Sequence, residues 1–216
     1  MKKIIYILVA ILALNSCDVL DMKPLDKVSD ADVWEDSALI ELYVNASYNS
    51  INHEFSQHML SDASDETYCI HNWANFWVIQ KGEMTSDNVT GISEKINYWK
   101  SAYSNIRTIN VFFDRIDDAP VETDLKNRMK GEMKFIRAWI YANLIWRYGD
   151  VPLITDLFEL NQDYKVKRDS YSDCVDFITK ELDEAMTWLP AIPTVKQHKV
   201  GRIGLRKVTR KDYFII

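Results

Sequence analysis

Between residues 32 and 190 the apolar positions mostly recur at steps of three and four, the spacing that lines one face of an α-helix. Asp32 can cap a first helix whose broad apolar face carries Val33, Trp34, Leu39, Leu42, Tyr43, Ala46 and Ile51. From Ser61 to about Gly91 the period fails. This stretch is punctuated by Ser, Asp and Asn together with Gly82 and Gly91, and reads as a long loop with room for short strands. The helical period returns at Trp99, Ala102, Ile106, Ile109, Phe113 and Ile116, with Pro120 beyond the stop. It returns again at Leu125, Met129, Met133, Ile136, Ile140 and Leu144, closing at Gly149 as a C-cap. A last helix starts at Ser170, with Asp173 completing a capping box, and runs through Val175, Ile178, Leu182, Ala185 and Leu189 to Pro190. Short connections make these three helices antiparallel neighbours. No clean repeat length emerges, so the pattern specifies a mainly α helical array and nothing finer.

The N-terminus has a different character. Lys2 and Lys3 precede an uncharged apolar run over residues 4–14, too short to anchor in a bilayer but the right length for the core of a signal peptide. It ends in Leu14, Asn15, Ser16 and Cys17, which resembles a lipobox, although Asn15 is an unusual occupant. On this reading residues 1–16 are a lipoprotein signal peptide, Cys17 is the lipidation site that holds the chain on a membrane, and residues 17–30 are a polar tether. The alternative is an ordinary secretory signal with an unrelated cysteine. Asp18 and Asp21 resemble the surface-export signal of Bacteroidetes lipoproteins, which points to an outer-membrane, surface-exposed location. Cys69 and Cys174 remain, either as one bridge or, the favoured reading, as two buried thiols.

Composition narrows the function classes. With 47% hydrophobic residues in 216, the chain can build a sizeable core and is not intrinsically disordered. A formal charge of −6 argues against nucleic acid as a partner. His53, Glu54 and His58 look like a zinc-protease motif, but the second His lies one position too far. Five residues turn a helix by about 500°, so the two imidazoles diverge by about 140° and cannot share a metal. Cys69 and His71 lack a partner pair. No nucleophile elbow, phosphate loop or dinucleotide fingerprint is present, so the sequence offers no catalytic residues, metal site or cofactor.

The irregular stretch does offer a binding site. Tyr68, Trp73, Phe76 and Trp77 crowd into ten residues with His71, Asn72 and Asn75 among them. Flat rings cover the C–H face of a sugar and planar amides bond its hydroxyls, so this mixture suits glycan binding. The competing reading is that these rings plug the loop onto the helices.

Several segments resemble the SusD/RagB family. Glu132, Met133, Lys134, Phe135, Ile136, Arg137 and Ala138, followed by Tyr141, Leu144 and then Tyr148, Gly149, Asp150, Val151, Pro152 and Leu153, are similar to its E-A-R-F-L-R-A…Y…L…Y-G-D-V-P-L signature. Asp176 to Ala185 with Leu189 and Pro190 resembles the following D-L-D-E-A…L-P helix; Tyr103, Ile106, Arg107 and Asn110 resemble the preceding one. Ser61, Asp62, Asp65 and Glu66 resemble the S-D-E before the family's variable aromatic loop. The resemblance implies a tetratricopeptide-like helical array with a long aromatic-rich loop insertion, and no catalysis. It also implies a surface lipoprotein that hands oligosaccharides, or other nutrients, to a partner TonB-dependent transporter of the SusC type. Trp73 carries over as the sugar platform, with Trp77, Asn75 and Tyr68 as weaker neighbours, and the Glu132 to Pro152 signature carries over as structural. Gly149 would there supply a left-handed cap, and Pro152 would block continuation of the helix.

Relatives continue well beyond the segment Val200, Gly201, Arg202 and Ile203. Here residues 31–203 form the SusD-like domain and residues 204–216 turn basic, which reads as a frameshifted tail of a truncated member or as a genuine short tail. Truncation would leave an apolar face exposed on the helix at 170–190. The second functional reading is therefore a truncated helical interaction module that docks on the transporter without binding sugar, or a degenerate remnant.

Overall fold

The computed structural model describes residues 30–51, 60–68, 70, 76–85, 87–88, 97–158 and 165–190. The expectations for Cys17, Cys69, Trp73, Asn75, the histidines at 53 and 58, and the segments at 1–29 and 191–216 lie outside the described residues. Among the described residues the chain is mainly helical, with no strand and one isolated bridge between Val151 and Asp169. It is a tetratricopeptide-like array, and no described helix is long and apolar enough to cross a membrane.

The first expected helix is broken in two. α1 runs Asp30–Glu35 and α2 runs Ser37–Ser47, with a 3₁₀ turn at Tyr48–Ser50. Asp36 divides them: its backbone is extended and its carboxylate accepts from the Ala38 N–H at 2.8 Å. Its side chain thus competes for a backbone donor and starts a new helix instead of continuing the old one.

In the irregular stretch the described residues form turns and no strand. Leu60–Ala63 is a 3₁₀ turn and α3, Trp77–Gln80, is one helical turn. Gly82 ends α3 at φ 70°, with its N–H donating to Ile79 O and the Glu83 N–H to Val78 O. That is a Schellman closure, and it uses the positive φ that glycine adopts without penalty.

Three long helices form the rest. α4 is Trp99–Arg115, α5 is Thr123–Tyr148 and α6 is Tyr171–Trp188. Glu122 caps α5 by accepting from the Asp124 and Leu125 N–H groups, and Ser170 caps α6 by accepting from Asp173 N at 3.2 Å. α5 is the central element, buried on nearly every side from Met129 to Ile145, and packs chiefly on α6 and then on α4. Its Gly131 lets α6 close in: a Cβ there would meet Leu189 Cγ at 2.9 Å. The outer face of α6 exposes Ser172, Asp173, Asp176, Lys180, Asp183 and Thr187. Its exposed large apolar side chains are Tyr171 and Met186.

The family-like signature is the joint of the array. Glu181 of α6 accepts from Lys134 Nζ at 2.6 Å and from Arg137 Nε at 2.7 Å, and Lys134 also reaches Glu184 at 2.7 Å. Arg137 continues to Asn110 Oδ1 on α4 at 3.0 Å, and Asn110 donates to Ile154 O at 3.0 Å. The buried polar groups therefore satisfy one another. After α5, the Tyr148 hydroxyl accepts from the Tyr98 and Trp99 N–H groups at the start of α4. Asp150 accepts from Tyr171 N at the start of α6 at 2.9 Å. The Tyr141 hydroxyl accepts from Ile154 N and donates to Ile154 O. Gly149 has the expected positive φ, 67°, but a ψ of −123°, so it turns the chain through a glycine-only region and is not a left-handed cap. Its neighbours set this geometry, because Tyr148 and Asp150 are committed to two different helix starts.

Cys174 is buried and free, donating weakly to Val151 O, and burial holds its thiol above the usual range.

Candidate functional site

The turn over residues 61–68 and helix α3 enclose an open groove of about 720 Å³. Asp65, Glu66, Thr67, Tyr68, Gln80 and Lys81 supply most of its polar and aromatic lining.

The turn is built from its own short polar side chains. Ser64 Oγ donates to Ser61 O at 2.8 Å, and the Ser64 N–H donates to the same carbonyl. Thr67 Oγ1 donates to Asp62 Oδ1 at 2.8 Å and lies 3.2 Å from the Ser61 hydroxyl. These are the side-chain-to-backbone contacts for which Ser, Thr and Asp favour turns. Gln80 then ties the turn to α3. Its Nε2 donates to both Asp62 O and Thr67 O at 2.9 Å, so one amide holds both ends of the turn. Asp65 and Glu66 stand exposed at the tip, and Tyr68 follows with 67% of its surface open to solvent.

Of the four expected ligand residues, Tyr68 lines the groove with an exposed ring, as a sugar platform requires. Trp77 is half-buried on α3 with its Nε1 enclosed and unbonded, and the Lys81 ammonium lies 4.7 Å from its ring centroid. Its ring supports Lys81 from beneath. Trp73 and Asn75 lie outside the described residues. Phe76 is buried. Gln80 and Lys81 were missed. No sequence signal pointed to Gln80, which acts through carbonyls 18 and 13 positions back along the chain.

A second, smaller cavity of about 170 Å³ lies between α4 and the segment after α5, lined by Tyr103, Arg107, Asn110 and Phe158 among others. The Tyr103 hydroxyl donates to Pro152 O at 2.9 Å, and burial pushes its pKa well up. Among the described residues no group of three His, Cys, Asp or Glu side chains is placed to hold a metal ion.

A family model described as SusD-like, starch-binding associating with outer membrane, matches residues 18–201. The chain belongs to the SusD-like family. Among solved structures, this SusD-like chain is similar to a SusD-like protein from Bacteroides fragilis at 27% identity and a TM-score of 0.69, over 82% of this chain and 34% of that one. A SusD-like carbohydrate binding protein from the same species matches at 25% identity and a TM-score of 0.60, over 74% of this chain and 34% of that one. A laminarin binding SusD-like protein shares the fold at 21% identity and a TM-score of 0.59, over 76% of this chain and 36% of that one. The chain thus spans about a third of the length of these solved structures. No protein of curated function matches it.

Proposed function

We propose that this chain serves as a glycan-binding surface lipoprotein, without catalysis, that captures oligosaccharides and passes them to a TonB-dependent transporter of the SusC type. The observation that carries the reading is the open groove in which the exposed Tyr68 ring stands beside the exposed carboxylates of Asp65 and Glu66. An aromatic face with carboxylate acceptors is how an open site holds a sugar ring and its hydroxyls. Trp73 and Asn75 complete the site from the connecting loop, Trp73 as the principal platform. Acylation at Cys17 keeps the groove at the outer membrane.

Retardation of the full-length chain in gels containing polysaccharide tests the binding, with Trp73→Ala abolishing it. Cys17→Ser should move the protein from the membrane to the soluble fraction. Co-purification with the barrel but no response to any glycan would instead favour a helical module that docks on the transporter.

A further inference from the structure

The charge around the groove is unbalanced. Asp65 and Glu66 are exposed in its lining and no Lys or Arg pairs with either among the described residues. Asp62 adds a carboxylate behind the turn, engaged among the described residues by the Thr67 hydroxyl. Lys81 is the one cation in the described lining, and its ammonium is drawn over the Trp77 ring. The turn that presents these carboxylates is already fixed by Gln80, so its backbone is set before a ligand arrives.

We propose that this groove selects uncharged saccharides and turns away those bearing carboxylate or sulfate groups, with Asp65 and Glu66 setting the choice. The inference rests on the glycan reading and names the substrate class of the same groove. An ionised carboxylate only accepts hydrogen bonds, and a neutral sugar offers it paired hydroxyl donors. Such charge-assisted bonds are stronger than neutral ones. A uronate or sulfated sugar replaces a donor with another acceptor and adds a like charge within a few ångströms. In an exposed groove each such contact weakens binding a few-fold, and two together about tenfold at low salt.

The test is affinity electrophoresis of the full-length chain against soluble starch, laminarin and mannan. Each is used unmodified, carboxymethylated, and hydroxyethylated to the same extent as a control for bulk. Retardation is expected with at least one unmodified polymer and its hydroxyethyl form, with the carboxymethyl form bound about tenfold more weakly at low salt. The Asp65→Asn, Glu66→Gln double variant should bring the charged and neutral forms within about twofold, and added salt should narrow the gap in the native chain. Both residues are exposed, so thermal melting should be unchanged. Equal binding of neutral and charged forms, or preference for the charged ones, overturns the selectivity and leaves the glycan reading standing. A full gap in the double variant overturns the role of the two residues. Retardation by no polymer in any form overturns the glycan reading and the selectivity with it.

Discussion

Tyr68 is held in place by very little beyond its own backbone, and that makes it a clean probe of the groove. With 67% of its surface exposed, Tyr68→Ala removes a stacking face and almost no packing. We predict that glycan affinity falls roughly five- to thirtyfold, about 1–2 kcal/mol, with the melting temperature unchanged. Gln80 behaves differently, because its amide donates to two carbonyls and its own Oε1 is enclosed without a partner. Gln80→Leu keeps the bulk and strands the Asp62 and Thr67 carbonyls. The turn should loosen by about 1–2 kcal/mol and affinity should fall with it, seen as faster amide exchange confined to residues 61–68. Gly149 is a matter of strain alone: a Cβ there meets nothing, but the backbone sits at φ 67° and ψ −123°. Gly149→Ala is expected to cost about 1–3 kcal/mol, read as a lower urea midpoint at constant slope.

Among elements, the decisive contact is the one between α5 and α6. Glu181 is enclosed between Lys134 and Arg137, with 5% of its own side chain exposed and 11% and 6% of theirs. Glu181→Ala leaves two cations buried without their shared partner, so it should destabilise by about 3–5 kcal/mol in urea unfolding. A loss under 1 kcal/mol would mean that the ionic joint is incidental to the packing. The three long helices were legible because burial imposes a strict three-and-four spacing, and Met129, Met133, Ile136 and Ile140 have no other reason to recur so. The break at Asp36 was not legible, since the residues around it keep the apolar face intact and the interruption comes from one carboxylate choosing a local donor. The groove was half legible. Tyr68 was visible as an aromatic in a polar loop, but Gln80 acts through two carbonyls 18 and 13 positions away, and spacing alone does not encode such contacts.

At the scale of the molecule, the fold ties its tyrosines to its pH range. Burial raises the pKa of Tyr98 to about 12 and those of Tyr103 and Tyr141 still further, each from 10.0. A raised folded pKa means that the native state keeps its proton where the unfolded chain has lost it. The stability tied to these groups is therefore complete below about pH 10 and drains away as pH rises from there through the folded values. On the acid side Glu184 runs the other way. The hydrogen bond from Lys134 lowers its pKa, so it stabilises above its ordinary 4.5 and ceases to as pH falls through the folded value. With 37% of that side chain exposed, the acid effect is small and the alkaline one dominates. Helical circular dichroism and tyrosinate absorbance should consequently change together above pH 10. Tyr98 separates burial from bonding, because its hydroxyl is enclosed and has no hydrogen-bond partner, whereas Tyr103 and Tyr141 donate to Pro152 O and Ile154 O. Tyr98→Phe removes an unsatisfied polar atom and a titrating group at once. It should stabilise by about 1 kcal/mol at neutral pH and move the alkaline midpoint upward, while Tyr141→Phe frees the Ile154 N–H and destabilises. If Tyr98→Phe instead lowers the melting temperature, the hydroxyl has a partner in solution and the alkaline transition belongs to the other two tyrosines.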